Sequence, residues 1–354
     1  MKTVCSSVIN HPLFRDMKIE HLEILSQGAT EVRFELGQII FRQGEPANKL
    51  YLIENGTVGL EATRPNQPPV SIQTLHAGDA LGWSWLFPPF AWNFQARAGA
   101  GCGLLCLDGG HLLATSREDA HFGYELMKRL GQIAIQRLQA TRRKLLELTR
   151  TPAVPEARAP GESSDWSRSI NDSMEAVPLD HPFFKGLSPE HLKLLSDYGM
   201  RVQFKEGEKI FAEGDIANRF YLIETGKVLL ESHLKDGPSI PIQTIGKGDV
   251  LGWSWLFPPY YWNFDARALE TTSAIFLYGA RLREDCEANH KLGLELLKRM
   301  TRVIIQRLQA ARRDLLRLSP GTPEVHREDS RSELFVPVTN EMSCAENSNE
   351  KGPL

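Results

Sequence analysis

The chain has 354 residues, 42% of them hydrophobic and 24% charged. This is globular composition, and it excludes both wholesale disorder and a single small scaffold. Lys and Arg total 41 against 44 Asp and Glu, a net charge of -3, so the basic excess of a protein that coats nucleic acid is missing. No apolar run approaches the roughly eighteen residues of a membrane span, and the opening MKTVCSSVINHPLF lacks the apolar stretch of a secretory signal. A cytoplasmic protein with neither DNA nor membrane as partner is expected.

The strongest feature is a duplication. With His11 set opposite His181 and Leu148 opposite Leu318, the two halves align without a gap and nearly half the positions are identical. This predicts two copies of one domain, over 11–148 and 179–318. A Pro-, Ser- and charge-rich flexible linker over 149–178 separates them, and a disordered polar tail over 319–354 follows.

Each copy opens with a short helical segment, HPLFRDMKIEHLEILS or HPFFKGLSPEHLKLLS, whose Leu and Ile spacing follows the helical period. Ser188 before Pro189 is an N-cap and first-turn signal. Short β-rich runs punctuated by glycine come next, FELGQIIFRQGEPANKLYLIENGTVGLE and FKEGEKIFAEGDIANRFYLIETGKVLLE, the pattern of a small antiparallel barrel or jelly roll. A long helix closes each copy, from about Phe122 to Leu148 and from about Leu292 to Leu318. The predicted class is α+β: two tandem antiparallel β-rolls, each with a short leading helix and a long C-terminal helix.

The 5 cysteines, Cys5, Cys102, Cys106, Cys286 and Cys344, contain no C-x-x-C pair and indicate neither a disulfide framework nor a structural metal. Cys102 and Cys106 share strand parity in CGLLC and are predicted to pack inside. Internal duplication also screens catalytic candidates. His76 becomes Gly246, His111 becomes Arg281 and His121 becomes Lys291; only His11/His181 and His21/His191 recur, in positions that suit capping or surface roles. GWSWL lacks the second glycine of a nucleophile elbow, and there is no P-loop or G-x-G-x-x-G, so no enzyme is expected.

An ordered set of residues occurs twice: Phe34, Gly37, Ile40, Gly44, Asn48, Tyr51, Ile53, Gly56, Val58, Leu75, Gly78, Asp79, Leu81 and Gly82, then Phe204, Gly207, Ile210, Gly214, Asn218, Tyr221, Ile223, Gly226, Val228, Ile245, Gly248, Asp249, Leu251 and Gly252. In this set the chain resembles the cyclic nucleotide-binding domain family, which includes bacterial catabolite activators and the regulatory subunits of cyclic-AMP-dependent protein kinase. The resemblance implies a phosphate-binding cassette at Leu81–Ala98 and Leu251–Ala268, with Gly82, Arg97 and Ala98, and Gly252, Arg267 and Ala268, at ligand-contact positions. A guanidinium offers a planar fork to two phosphate oxygens, and a short helix in the cassette would add backbone N–H groups.

The cassettes depart from the family pattern. Trp83 and Trp253 stand where the family places a glutamate for the ribose hydroxyl, a charged hydrogen bond worth about 1.5–3 kcal/mol. The segment is also longer and carries Pro88-Pro89 or Pro258-Pro259. Six of the 7 tryptophans, Trp83, Trp85, Trp92, Trp253, Trp255 and Trp262, fall here. They either stack on a ligand ring, which makes a cyclic nucleotide or NAD(P)H the expected non-covalent ligand, or plug the cavity. Ser84, Ser254, Asn93 and Asn263 either replace lost hydrogen bonds or cap turns.

The closing helices carry a 3.5-residue period, Met127, Gly131, Ala134, Leu138, Thr141, Leu145 and Leu148, matched by Leu297, Thr301, Ile304, Leu308, Ala311, Leu315 and Leu318. This predicts an internal pseudo-dimer in which the two helices pack together, with Arg137, Arg142, Arg143, Arg307, Arg312 and Arg313 on a solvated face. Neither the helix-turn-helix module nor the N-terminal inhibitor segment of other family branches is recognised, so the resemblance implies a non-enzymatic regulator that senses an anionic nucleotide and signals to an unidentified protein partner. The W-S-W-L-F-P-P cassette is also similar to small proteins that accompany NAD-linked soluble hydrogenases, which makes an accessory subunit of a redox complex one alternative; a scaffold with tryptophan-filled pockets is the other.

Overall fold

The computed structural model describes residues 2–148, 180–233 and 239–319, all within one packing unit. The predicted linker and nearly all of the predicted tail lie outside the described residues. The first copy is preceded by a helix not predicted from the sequence, α1 (Lys2–Asn10), whose Val8 is fully buried. After a 3₁₀ turn at Pro12–Phe14 comes the leading helix α2 (Ile19–Gln27). Eight strands follow: β1 (Ala29–Phe34), β2 (Ile39–Phe41), β3 (Lys49–Asn55), β4 (Thr57–Ala62), β5 (Val70–His76), β6 (Ala80–Leu81), β7 (Gln95–Ala98) and β8 (Cys102–Asp108). They form two antiparallel four-stranded sheets, in the orders β1-β8-β3-β6 and β2-β7-β4-β5.

The second copy repeats this with a 3₁₀ turn at Pro182–Phe184, α5 (Pro189–Ser196), β9 (Met200–Phe204), β10 (Lys209–Phe211), β11 (Arg219–Thr225), β12 (Lys227–His233), β13 (Ser239–Gly246), β14 (Val250–Leu251), β15 (Asp265–Ala268) and β16 (Thr272–Tyr278). Its sheets run β14-β11-β16-β9 and β10-β15-β12-β13. The Ser188 cap holds, its Oγ accepting from the His191 N–H at 3.2 Å. Two antiparallel sheets face each other in each copy because alternate residues of each strand are apolar and turn inward; Leu50, Leu52, Val58 and Leu60 are buried in the first copy, and Leu222, Val228 and Leu230 in the second. Cys102 and Cys106 are buried among them, and burial pushes both thiols up.

Each roll ends in two helices rather than one: α3 (Gly109–Glu118) then α4 (Ala120–Leu148), and α6 (Gly279–Ala288) then α7 (His290–Leu318). The break is made by a capping side chain. Asp119 Oδ1 accepts from the His121 and Phe122 N–H groups, and Asn289 Oδ1 from that of Leu292.

The two long helices run side by side in the same sense. The His121 and His290 rings stack at 4.2 Å between centroids, and Tyr124 and Lys128 both donate to Glu287 Oε1, at 3.0 and 2.7 Å. Farther along, Gly131 faces Thr301. Most of the predicted seam is buried, from Met127 to Thr141 and from Leu297 to Leu315; its last members, Leu148 and Leu318, are exposed, so the packing ends before the helices do. No described helix is long and apolar enough to cross a membrane. Among the described residues no group of three His, Cys, Asp or Glu is placed to hold a metal ion.

His11 and His181 cap the 3₁₀ turns, each Nδ1 accepting the backbone N–H two residues on at 3.2 Å. Both are buried, and burial pushes their pKa values down, that of His11 to about 4 against the opposing charge of Asp79. The unfolded chain protonates these rings near the usual value of about 6.5. It therefore binds more protons than the folded protein between that pH and about 4, and stability falls as pH drops through this window. We expect the thermal midpoint to decline there and His11→Asn, which keeps an acceptor but does not titrate, to flatten the decline; an identical pH profile for His11→Asn contradicts this assignment.

Candidate functional site

Each cassette begins at a glycine that no other residue can replace without strain. Gly82 has φ +91° and Gly252 φ +90°, and a Cβ at Gly82 would lie 2.6 Å from the Lys49 carbonyl oxygen. The chain then makes a single 3₁₀ turn, Ser84–Leu86 or Trp253–Leu256, rather than the short helix expected from the resemblance. The loop passes Pro88-Pro89 or Pro258-Pro259, both cis, and enters β7 or β15.

Arg97 stands opposite Gly59 in β4 and diagonal to Glu61. Its Nε donates to Glu61 Oε1 at 3.1 Å and its Nη1 to the Gly37 carbonyl at 2.9 Å, while Gln95 Nε2 holds the other Glu61 oxygen at 2.8 Å. In the second copy Arg267 Nε donates to Glu231 Oε2 at 3.3 Å. Each arginine is thus oriented by a carboxylate. The arginine side chains nevertheless remain 38% and 40% exposed, so the pairs act more to aim the guanidinium than to stabilise the fold. Asp265, two residues before Arg267, is buried, accepting from the Glu213 N–H at 2.7 Å and lying 3.4 Å from Lys209 Nζ. Ala98 and Ala268 are buried with their backbone engaged: their N–H groups bond Gln38 and Glu208, and their carbonyls accept from Gly37 and Gly207.

All six cassette tryptophans are buried. Trp92 stacks on Phe41 at 4.1 Å and Trp262 on Phe211 at 4.0 Å. Trp85 and Trp255 sit under the first residues of α3 and α6, so close that a Cβ at Gly109 or Gly279 would meet their ring or side-chain carbons at 2.6 or 2.5 Å. Trp253 packs edge-on against Phe264 at 5.5 Å. Trp83 is equally enclosed.

The polar cassette residues do something the sequence did not reveal. Asn93 Nδ2 donates to Ser84 Oγ and Asn263 Nδ2 to Ser254 Oγ, both at 3.1 Å. The carbonyl end of each asparagine accepts from the long helix of the other copy: Gln309 Nε2 donates to Asn93 Oδ1 at 3.0 Å and Gln139 Nε2 to Asn263 Oδ1 at 2.8 Å. Arg312 also donates to the Asn93 carbonyl. The repeated QRLQA segments held this signal, since the glutamine recurs in both copies. Glu61 and Glu231 recur too, one in each TVGLEA-type strand.

The expected solvated arginine face is only partly correct. Arg143 and Arg313 are exposed. Arg137 and Arg307 are buried, with burial pushing both guanidiniums down to about 10 against the opposing charges of Asp79 and Asp249. Arg142 and Arg312 are half-buried against the opposite copy's cassette, Arg142 lying 5.6 Å over the Phe264 ring. A helix position with apolar neighbours on one side and a cassette on the other buries a long cationic stem along with its head.

The family pattern for the cyclic nucleotide-binding domain matches residues 31–119 and 201–289, together half of the sequence. The chain belongs to the cyclic nucleotide-binding domain family. Similar members include the cyclic AMP receptor protein of Thermus thermophilus, 32% identical over 34% of this chain and 57% of that protein, and the cAMP-dependent protein kinase regulatory subunit of Blastocladiella emersonii, 20% identical over 70% of this chain and 50% of that one. This family member therefore spans about half to three fifths of the length of these relatives. Among solved structures, the regulatory domain of Toxoplasma gondii PKA with cAMP is 14% identical at a TM-score of 0.30, covering 80% of this chain and 90% of that chain. A cyclic nucleotide-binding domain from Methylobacillus flagellatus is 21% identical at a TM-score of 0.36, covering 38% and 76%.

Within this family member the second cassette also touches the first copy's helix through Phe257. A Cβ at Gly131 would lie 2.8 Å from Phe257 Cζ and 3.1 Å from Thr301 Oγ1. Overpacking of this kind costs about 1–3 kcal/mol, against a helix-propensity gain of a few tenths of a kcal/mol for valine. Gly131→Val is therefore expected to destabilise the protein in chemical denaturation, and unchanged stability would show that Phe257 is not held at the seam.

Proposed function

We propose that this chain is a non-enzymatic regulator in which Arg97 and Arg267 receive the anionic group of a nucleotide, and the long helices pass the ligand's effect to a protein partner. The observation that carries this reading is that each cassette guanidinium is aimed by a carboxylate yet left two-fifths exposed. Nε is engaged while part of the terminal Nη edge stays available to oxygen acceptors. Transmission follows from the cross-copy bonds Gln309–Asn93 and Gln139–Asn263, because a shift of either cassette loads the helix of the opposite copy. Ligand binding then changes function to the extent that its affinity differs between two helix arrangements. Trp83 and Trp253, which stand where the family pattern has its ribose glutamate, are buried, and this reading therefore assigns recognition chiefly to the anion.

A second reading, a scaffold whose pockets are filled from within, is favoured by the burial of all six cassette tryptophans. Calorimetric titration of the full chain with cyclic AMP, cyclic GMP and NADPH separates the two. The regulator reading expects saturable binding of at least one, weakened about ten- to a hundredfold at the affected site by Arg97→Ala or Arg267→Ala. No binding of any of them leaves the scaffold.

A further inference from the structure

Three hydrogen-bond donors with no protein acceptor belong to the Trp253–Phe264 ring pair of the second cassette and the two guanidiniums that lie over it. Arg307, from α7, is 4% exposed and its guanidinium lies 4.5 Å over the Trp253 ring. Its Nη2 donates to the Val250 carbonyl at 2.5 Å, but Nη1 is sealed from water without a protein partner. Arg142 arrives from α4 of the other copy over Phe264, the ring that meets Trp253 edge-on. Its Nε is likewise sealed and unpartnered, although other parts of the side chain keep some contact with solvent. The Trp253 indole Nε1 is the third; the Trp255 indole in the same cassette is also sealed and unpartnered, but so is its counterpart Trp85 in the first copy. Buried donors are nearly always matched by acceptors, and here two of them carry positive charge.

The first copy resolves the same constellation differently. Arg137, the counterpart of Arg307, spends Nη1 on Gln73 Oε1 and Nη2 on the Ala80 carbonyl, both at 2.9 Å. Arg312, the counterpart of Arg142, donates to the Asn93 carbonyl, leaving its Nε as the only arginine nitrogen of this pair that is sealed and unpartnered. The Trp83 indole is not among the sealed unpartnered donors. In the second copy, moreover, burial, then the Arg307 charge, pushes Arg142 down to about 9. Asp249 opposes the shift on Arg307, but its carboxylate accepts the Gly246 N–H and does not bond the guanidinium.

We propose that Arg142 of the first copy and Arg307 of the second, with the Trp253 indole N–H, form one composite site for a phosphate-class oxyanion, present only in the second half of the molecule. An oxyanion supplies both the missing acceptors and the missing negative charge, and two guanidiniums from different helices suit a group with several oxygens. The site does not rest on the regulator reading. Arg267 stands on the sheet of β10, β15, β12 and β13, paired with Glu231, whereas Val250 belongs to the other sheet. Because one arginine comes from each long helix, the anion ties the two copies together where the seam nears its end.

The test is calorimetry of the full chain with pyrophosphate and, separately, with AMP. The first tests the free anion and the second a phosphate carried on a nucleoside. Binding of either at one site per chain, weakened about tenfold or more by Arg142→Gln and unchanged by Arg143→Gln on the exposed face, supports the site. Arg142→Lys, with charge but no Nε fork, is expected to bind between the two, and far-UV circular dichroism verifies that each variant is folded. Retained pyrophosphate binding in Arg267→Ala separates this site from the cassette arginine, even if every cyclic nucleotide fails to bind. Absence of binding by both probes, or equal affinity in Arg142→Gln and the unaltered chain, overturns the proposal.

Discussion

The packing of α4 against α7 governs the rest of the molecule. Their glycines allow the close approach: a Cβ at Gly123 would lie 2.9 Å from Leu294, and one at Gly293 would lie 2.7 Å from the Tyr124 ring. Apolar side chains then seal the seam, with Leu130, Ala134, Ile304 and Leu308 essentially without exposed surface; each large one contributes about 1.5–3 kcal/mol by burial. Because the helices run in the same sense, each one carries its polar outer face past the other copy's cassette. A single pairing of two helices therefore fixes four things at once: the placement of the rolls, the glutamine–asparagine bonds, the arginines over aromatic rings and the position of Phe257.

This geometry also puts cations where an isolated helix would not tolerate them. Removing a guanidinium from water costs several kcal/mol unless it is compensated. Here the compensation is uneven. Arg137 has two acceptors and the field of Asp79, whereas Arg307 has one carbonyl, the field of Asp249 and the face of Trp253. Cation–π contact offsets part of such a cost. The two copies thus differ at their interior polar contacts while keeping the same strand order and the same closing helices, of 10 and 29 residues in each.

Much of this was legible in the sequence because duplication repeats whatever the fold requires. The strand runs, the turn glycines, the seam residues and the positions of Arg97 and Arg267 all recur, and the cyclic nucleotide-binding family follows from them. The features that escaped notice depend on partners distant in sequence. Glu61 looks like any polar strand residue until β4 lies beside β7, and Gln139 reads as helix surface until Asn263 is placed against it. The arginines of α4 and α7 misled for the same reason. Their spacing along the helix suggests water on the far side, but Arg137 and Arg307 turn into their own rolls and Arg142 and Arg312 meet the opposite cassette, leaving Arg143 and Arg313 in solvent. The extra helices α3 and α6 were hidden because their apolar positions are few and a capping residue, Asp119 or Asn289, separates them from the longer helix.

Each cassette is joined to the long helix of the other copy through its asparagine. A double-mutant cycle on Asn93 and Gln309, measured by denaturant unfolding of the full chain with Asn93→Ala, Gln309→Ala and the pair, tests it most directly. The joined arrangement predicts a coupling of about 0.5–1.5 kcal/mol, the range for one such hydrogen bond. Strictly additive effects of the two substitutions would contradict it.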